Sequence, residues 1–356
     1  MRILERYIAW EVVKGGLVAV MVLVALVDFF TFADELGDLG KGKYDLGKVV
    51  QFVILTSPRV LYELMPSAAL VGGLVTLGGL ANGRELMAMQ AAGASRARII
   101  RAVLAGGLVL LAVSVSIGEW VAPGAERAAN IQRALALNEQ VASHSEYGVW
   151  VRDGNVFINI RDIERQESLG DINIYELGPG QTLTHATHAG KAVYDGKQWH
   201  LERIRVSRFA PEQVSAERKS SADWSSVLAP EILNAFVIRP ENLSAWELLH
   251  YIDYLKENGQ QSRPVEQAFW SRMVNPAVTL VMLLVAVPFV LTLRREVGMG
   301  QRVVVGVVFG LGFYLFDRMF SHFGLIYEMN PQFAAAFPTA LVLVGAVIAL
   351  LRMGHG

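Results

Sequence analysis

Six long runs of apolar residues constrain the fold of this chain more than any other feature of its sequence. A helix needs about 20 mostly apolar residues to cross the hydrocarbon core of a bilayer. Only 18% of the residues are charged, whereas soluble domains contain about 25%. The runs are 15–33, 49–81, 102–118, 273–293, 303–327 and 330–351. The sequence therefore predicts six membrane helices, three before residue 119 and three after residue 267.

The first run follows Arg2, Arg6 and Lys14, a pattern that superficially resembles a signal peptide. Its apolar segment is too long for one, and the following Asp34 and Glu35 do not form a small-residue cleavage site. We therefore expect the first run to remain in the protein as a helix.

Basic residues in short loops predict how the helices are oriented, because cytoplasmic loops are enriched in Lys and Arg. One side of the membrane holds Arg2, Arg6, Lys14, Arg84, Arg96, Arg98, Arg101, Arg294, Arg295, Arg302 and Arg352. The other side holds Lys41, Lys43 and Lys48. This bias predicts cytoplasmic termini and places the long segment between the third and fourth helices in the periplasm.

The segment 119–267 changes from a helical period to a period of two. Val149 and Val151 alternate with polar residues before an Asp153-Gly154 turn, and Val156, Ile158 and Ile160 alternate after it. Such a pattern is typical of a β-hairpin with one apolar face. Further strands are predicted at 171–177, 186–194, 198–209 and 214–224. We expect an antiparallel β jelly-roll-like domain.

Helices flank the predicted strands. One is expected at 123–138, and another begins at Ser244, where Glu247 completes a capping-box pattern. The predicted organisation is therefore membrane helices 1–3 in 1–118, a periplasmic β-rich domain in 119–267 and membrane helices 4–6 in 268–356.

Five charged residues fall inside the predicted membrane helices, where ionisable groups are functional candidates. They are Asp28, Arg59, Glu63, Asp317 and Arg318. Arg59 and Glu63 are four residues apart and can pair on one helix face, so a structural and a functional role remain equally open. Asp317 and Arg318 are adjacent, project in different directions, and must find partners elsewhere or face a wet cavity.

The cytoplasmic loop 82–101 contains a predicted short helix that begins near Glu85 and ends at Gly93. The apolar residues Leu86, Met87 and Met89 lie there outside any predicted membrane helix. The helix could lie in the lipid headgroups or insert into the groove of a soluble partner protein. The residues alone leave both alternatives open.

Other patterns argue against catalysis and nucleic-acid binding. Gly37-x-x-x-x-Gly42-Lys43 imitates a phosphate-binding loop, but Tyr44 replaces the required Ser or Thr. His185 and His188 would point to opposite faces of a strand, which favours surface histidines over a metal pair. The net charge of −1 and the absence of cysteine argue against nucleic-acid partners and thiolate metal sites. We expect a chain that is not an enzyme and needs no cofactor.

Six motifs together resemble the LptF/LptG family of lipopolysaccharide export permeases. They are Leu4-Glu5-Arg6-Tyr7-Ile8, Glu85-Leu86-x-x-Met89-Gln90-Ala91-x-Gly93, Gly118-Glu119-Trp120-Val121-Ala122-Pro123, Gly148-x-Trp150-x-x-Asp153-Gly154-Asn155, Met299-Gly300-x-Arg302-Val303-Val304 and Phe313-Tyr314-x-x-Asp317. The third motif is closer to the LptG branch. The resemblance extends over the whole chain.

The resemblance implies a half-permease that pairs with an LptF-like chain above an LptB-like ATPase dimer. Lipopolysaccharide would leave the inner membrane and pass through the β domains to an LptC-like bitopic protein of the periplasmic bridge, driven by ATP hydrolysis in the partner. It also implies that the short helix couples to the ATPase through Glu85, Arg84, Leu86 and Met89.

The chain departs from the family at the lipid-contacting residues, because the outer end of the first helix is acidic here, where the family has basic residues. Lys41, Lys43 and Lys48 are the available cations, and Val149, Val151, Val156, Ile158 and Ile160 are the expected contacts for acyl chains. Two alternatives are a permease or mechanotransmitter of a lipoprotein-type ABC system and a membrane-anchored enzyme acting on envelope lipids.

Overall fold

The computed structural model describes residues 2–137, 149–165, 168–195, 198–210, 213–224, 240–292 and 298–354. The chain divides into two compact units. The first consists of Met1–Gly37, Val50–Glu126 and Arg263–Gly356, and the second of Asp38–Val49 and Arg127–Ser262.

Long helices build the first unit. They are α1 (Arg2–Glu35), α2 (Leu46–Asn82), the short α3 (Glu85–Ala91), α4 (Arg96–Ser116), α7 (Arg263–Thr292), α8 (Met299–Ile326) and α9 (Pro331–Gly354). Helix α5 (Ala122–Leu137) belongs to the first unit up to Glu126 and to the second unit from Arg127, and α6 (Ala245–Glu257) belongs to the second unit. A π-helical turn at Ile117–Val121 joins α4 to α5. Within the described residues, six helices are long and apolar enough to cross a membrane, which confirms the prediction.

Glycines lie where the long helices approach each other most closely. A Cβ atom on Gly72 of α2 would lie 2.5 Å from the carbonyl group of Gly15 in α1. One on Gly106 of α4 would lie 2.6 Å from the carbonyl oxygen of Ala9. Small residues of this kind allow membrane helices to pack backbone against backbone. The first helix is therefore fixed against α2 and α4 at positions that accept no side chain.

Six antiparallel strands build the second unit. They are β1 (Val149–Asp153), β2 (Val156–Arg165), β3 (Ser168–Leu177), β4 (Leu183–Tyr194), β5 (Trp199–Ala210) and β6 (Gln213–Trp224). They form one sheet in the order β1-β2-β3-β4-β5-β6. The predicted antiparallel domain between membrane helices 3 and 4 is confirmed. The described strands are connected as a meander, since each is paired with the next along the chain.

One face of the sheet carries the apolar core. The cross-strand row Ile160–Ile172–Ala189–Ile204 is buried throughout. Of the five residues expected to face inward, Val151, Ile158 and Ile160 are buried and Val156 is half-buried. The side chain of Val149 lies outside the described part of the chain.

The spacing of buried residues changes at one row of the sheet. Buried apolar side chains are two apart from Ile172 to Ile174 but three apart from Leu169 to Ile172, and Leu169 is adjacent to a second buried residue, Gly170. The intervening Asp171 has φ 46°, and Arg203 on β5 has φ 54°, a left-handed region that non-glycine residues rarely adopt. Gly190 is the residue of β4 between them in the row. The strict alternation of buried and exposed side chains therefore does not continue across this row.

Helix α6 is joined to the first hairpin at its C-terminal end. The Tyr254 hydroxyl donates to the Arg152 carbonyl at 2.6 Å, and the Gly154 N–H donates to Asn258 Oδ1 at 2.9 Å. At the other end of α6 the predicted capping box is present between Ser244 and Glu247. The first two contacts fix the C-terminal end of α6 to the hairpin, and the capping box stabilises its first turn.

Candidate functional site

The short helix α3 lies between α2 and α4 and turns its apolar side toward the helical unit. Leu86 is only 3% exposed and belongs to the buried apolar cluster of that unit, and the partly buried Met89 packs against the same cluster. Met87 is exposed. The helix ends as predicted, with Gly93 at φ 90° and the Ala94 N–H donating to the Met89 carbonyl at 3.0 Å.

Glu85 and Arg84 stand at the exposed start of α3. The Tyr7 hydroxyl of α1 donates to Glu85 Oε2 at 3.0 Å. Arg84 precedes the helix in the left-handed region, with φ 59°, and its side chain has no ion pair or hydrogen bond within the part of the chain that the structure describes. Glu85 is thus held by its own chain and still leaves a carboxylate accessible to a partner.

A buried arginine fixes the residue that ends α2. Arg302 of α8 is only 3% exposed and donates through Nη2 to Asn82 Oδ1 at 2.9 Å. Its guanidinium occupies the space beside Gly78, where a Cβ atom would lie 2.0 Å from Nη1. Since α3 starts three residues after Asn82, α8 and α1 both position this loop.

Arg59 and Glu63 form the expected pair within α2, with Nε and Oε1 3.0 Å apart. A further carboxylate joins them, because Arg59 Nη1 lies 3.0 Å from Oε1 of the buried Glu126 in α5. One arginine thus bridges two carboxylates on two helices. The pair contributes to helix packing, which is the structural alternative considered for it.

A second polar group surrounds the π-helical turn and includes Tyr62, which lies three residues after Arg59 in α2. Arg272 of α7 is 8% exposed, and its Nε lies 2.5 Å from Glu119 Oε1. Its Nη2 also donates to the Gly118 carbonyl. The Tyr62 hydroxyl donates to the Arg272 carbonyl at 3.2 Å, and the guanidinium lies 5.3 Å from the centre of the Tyr62 ring. We call this set the Arg272 cluster.

The remaining intramembrane charges have different surroundings. Ser57 Oγ donates to Asp28 Oδ2 at 2.7 Å, which ties α1 to α2. The Arg318 guanidinium lies 5.5 Å from the centre of the Tyr314 ring on an exposed face of α8. Asp317 is half-buried and forms no ion pair among the described residues. Neither adjacent charge finds an ionic partner within the described chain.

The three loop lysines differ in their environments. Lys41 Nζ lies 2.6 Å from Asp38 Oδ1, and Arg133 of α5 pairs with the other oxygen of Asp38. Lys43 is exposed and Lys48 is half-buried, and neither side chain forms an ion pair within the described chain. The positive charge of Lys41 is therefore partly neutralised, whereas that of Lys43 and Lys48 is available.

The two histidines of β4 do not converge on one site. His185 Nδ1 lies 3.5 Å from Glu176, and His188 Nε2 lies 2.9 Å from Asp171. Each therefore has its own carboxylate neighbour on β3.

Sequence reasoning missed the partners that lie far apart in the chain. Glu126, Arg272 and Tyr62 were not singled out, since contacts across 67 to 210 residues have no local signature. Tyr7 and Glu119 were noted only as members of motifs, and Arg302 as a member of a motif and as a basic residue of a predicted loop. Their positions inside those motifs were the one available signal.

Comparison with known proteins agrees with the motifs. The family model described as "Lipopolysaccharide export system permease LptF/LptG" matches residues 6–352. A protein of Escherichia coli (strain K12) named "Lipopolysaccharide export system permease protein LptG" is 33% identical over 353 residues, which is 98% of each chain. A protein of the same name from Haemophilus influenzae (strain Rd) is 34% identical over 343 residues, or 96% of each chain. The resemblance is thus confirmed, and the chain belongs to the LptF/LptG family of lipopolysaccharide export permeases.

Proposed function

We propose that this chain is one transmembrane permease subunit of an ABC-type exporter that extracts lipopolysaccharide from the inner membrane and passes it to a periplasmic bridge. ATP hydrolysis in a partner subunit drives the transfer. The observation that carries this proposal is the family match across residues 6–352, on a chain with six membrane-length helices and an inserted antiparallel sheet. An LptF-like permease, an LptB-like ATPase dimer and an LptC-like bitopic protein are its proposed partners.

The decisive test of this function is reconstitution of the chain with such partners in vesicles. Lipopolysaccharide should leave the vesicle only when ATP is present and the permease pair is complete. Release without ATP, or release when this chain is omitted, would contradict the proposal.

Both termini and α3 are proposed to lie in the cytoplasm, with the β domain in the periplasm. The support is the excess of Lys and Arg in the loops on one side. Because the chain contains no cysteine, single cysteines introduced at exposed positions will report sidedness without interference. A cysteine at Met87 should be protected from an impermeant maleimide in intact spheroplasts, and one at Glu202 should react. The opposite pattern would invert the topology.

Glu85 is proposed to couple the ATPase to the helices. Its carboxylate is exposed at the start of α3, while Leu86 fixes the helix to the core. A charge-assisted hydrogen bond to a basic residue of the ATPase would add strength and direction to this contact. Arg84 and Met89 are proposed to complete the contact surface.

The hydrogen bond from Tyr7 provides a control for this proposal. Tyr7→Phe removes the intrachain bond and leaves the Glu85 charge, whereas Glu85→Gln keeps a hydrogen-bond acceptor and removes the charge. If Glu85 binds the ATPase, E85Q should lose ATPase association or coupled transport and Y7F should retain them. If E85Q and E85A assemble and transport normally, the coupling role is wrong.

Lys43 and Lys48 are proposed to attract the phosphate groups of the lipid, and Lys41 to contribute less because it pairs with Asp38. A K43A/K48A variant should reduce lipid-stimulated ATP hydrolysis, and the effect should shrink as salt is raised. K41A is the matched control with a smaller expected effect. If all variants show the same lipid-stimulated ATP hydrolysis as the unmodified chain, the lysines do not attract the lipid.

The apolar face of the sheet is proposed to receive acyl chains. Val149, Val151, Val156, Ile158 and Ile160 are its proposed contacts, and the buried row Ile160–Ile172–Ala189–Ile204 continues the apolar face across four strands. A photo-crosslinking residue at Ile158 should capture lipopolysaccharide only with ATP, and one at the exposed Thr182 in the turn between β3 and β4 should not. Equal capture with and without ATP would contradict a role in transport.

A further inference from the structure

The face of the sheet opposite the apolar core carries one continuous polar and aromatic row. The row consists of Trp150, Asn159, Asn173, His188, Arg205 and Arg218, paired strand by strand from β1 to β6. Because successive residues of a strand point to opposite faces, this row lies opposite the row that contains Ile160 and Ile172. We call it the arginine–aromatic row.

Two like charges face each other at one end of this row. Arg205 of β5 and Arg218 of β6 are directly paired across the strands, and both are exposed. Neither has an ion pair or hydrogen bond within the described chain, and Asp171 on this face is already contacted by His188 and Arg161. Like charges directly opposite each other destabilise a sheet. An anion bound between the two guanidinium groups would remove that cost, and guanidinium binds phosphate in a two-pronged manner.

An aromatic platform lies at the other end. The rings of Trp150 and Tyr175 stack with centroids 5.9 Å apart and an interplanar angle of 18°, and Trp150 is 53% exposed. Beside them, the Arg152 guanidinium lies 5.3 Å from the centre of the Phe157 ring. A flat exposed ring pair offers an apolar surface with polar edges, which matches the C–H face of a sugar ring.

The spacing of the strands sets the size of the ligand. Neighbouring strands lie about 4.8 Å apart, so Trp150 and Arg218 in the row are separated by about 24 Å. Tyr175 on β3 lies two residues along the strand from this row, which places it about 12 Å from Arg205 on β5. A free phosphate ion cannot bridge these distances. A chain of several sugars with a phosphate group can occupy both ends at once.

We propose that the arginine–aromatic row binds a phosphorylated oligosaccharide, namely the sugar region of the lipopolysaccharide carried by this permease. The inference rests on the proposed function and adds a second contact, separate from the apolar face that is proposed to receive acyl chains. An anionic membrane surface would use the arginines but not the aromatic platform aligned with them, so the oligosaccharide is the better match.

The test measures binding of delipidated phosphorylated core oligosaccharide to the full chain in detergent by isothermal titration calorimetry. The R205Q/R218Q variant should bind at least tenfold more weakly than the unmodified chain, and W150A should also lose affinity. Arg208→Gln is the matched control, because Arg208 lies on the same strand, points to the opposite face and pairs with Glu217. It should stay within twofold. After enzymatic removal of phosphate from the oligosaccharide, R205Q/R218Q and the unmodified chain should bind it with the same affinity.

Loss of binding through misfolding is separable by thermal unfolding. R205Q/R218Q removes a repulsion, so its unfolding temperature should equal or exceed that of the unmodified chain while its affinity falls. Unchanged affinity of R205Q/R218Q, or equal affinity for the dephosphorylated sugar, would overturn the inference. So would a defect confined to binding of phosphatidylglycerol vesicles, which would assign the row to a membrane surface.

The binding experiment and the reconstitution experiment can fail separately. If the reconstituted unmodified complex releases lipopolysaccharide but the chain fails to bind the oligosaccharide, only this inference fails. If no ATP-dependent release occurs, the proposed function fails.

Discussion

Replacing Arg272 should destabilise the protein more than replacing any exposed arginine of the same helix. Arg272→Met leaves the Glu119 carboxylate without its partner and the Gly118 carbonyl without its donor. Breaking a buried ion pair costs about 3–5 kcal/mol. An orphaned buried carbonyl costs about 1–3 kcal/mol. Because the Glu119 side chain is 22% exposed and regains some water, we expect a total loss of about 4 kcal/mol.

The assay is equilibrium unfolding in mixed detergent micelles, followed by the helical circular dichroism signal. Arg263→Met is the matched control, since Arg263 also belongs to α7 but pairs with the exposed Glu328 at 2.8 Å. Such a surface pair contributes about 0–1 kcal/mol. A loss in R272M no larger than that in R263M would refute the reasoning.

A double-mutant cycle then isolates the ion pair. Glu119→Gln in the R272M background should cost less than Glu119→Gln alone, by about 1–3 kcal/mol, because contacting residues are not additive. Additive losses would mean that Arg272 acts through the Gly118 carbonyl and the Tyr62 ring, and that the pair with Glu119 is incidental.

Further predictions concern the β domain and the coupling loop. Hydrogen bonds with Asp195 and Asp223 raise the pKa of His200 above its usual 6.5. The stabilisation by protonated His200 should therefore be complete below pH 6.5 and disappear as the pH rises through the higher pKa of the folded state. NMR titration of D223N should show a lower His200 pKa than in the unmodified chain. Burial acts to raise the pKa of Glu247, but hydrogen bonds from Ser244 and Arg127 outweigh it and leave the pKa below 4.5. This stabilisation should therefore be complete above pH 4.5 and be lost as the pH falls through the folded pKa, and thermal unfolding of E247Q should lack that acid dependence. Leu86→Ala should cost about 2–5 kcal/mol in thermal unfolding, whereas Met87→Ala, at an exposed position, should cost under about 0.5 kcal/mol.

The sequence predicted the elements that depend on local patterns. Apolar length located the six membrane helices, alternation located the first hairpin, and the Ser244–Glu247 spacing located the start of α6. Gly93 was correctly identified as the residue that ends α3.

Local patterns could not predict contacts between distant residues. The Arg59–Glu63 pair was foreseen because its members are four residues apart, but Glu126, which completes it, is 67 residues from Arg59. The π-helical turn at Ile117–Val121 was also unforeseen, since the atoms that hold it belong to Arg272 on another helix. Each membrane helix extends beyond its apolar run at one or both ends, because helical hydrogen bonding continues after hydrophobicity ends.

The left-handed residues Asp171 and Arg203 have a consequence for how the sheet resists mispairing. In a uniformly alternating strand, a slip by two residues restores the apolar face and is weakly opposed. Here the buried apolar side chains follow one phase from Ile172 to Ile174 and another at Leu169. A strand that slips, or a foreign strand with a simple alternating pattern, can therefore match only one half of the sheet and must bury polar groups in the other. The break acts as a register lock, and it protects a sheet whose outermost strand β6 is exposed along most of its length from indiscriminate pairing at its edge.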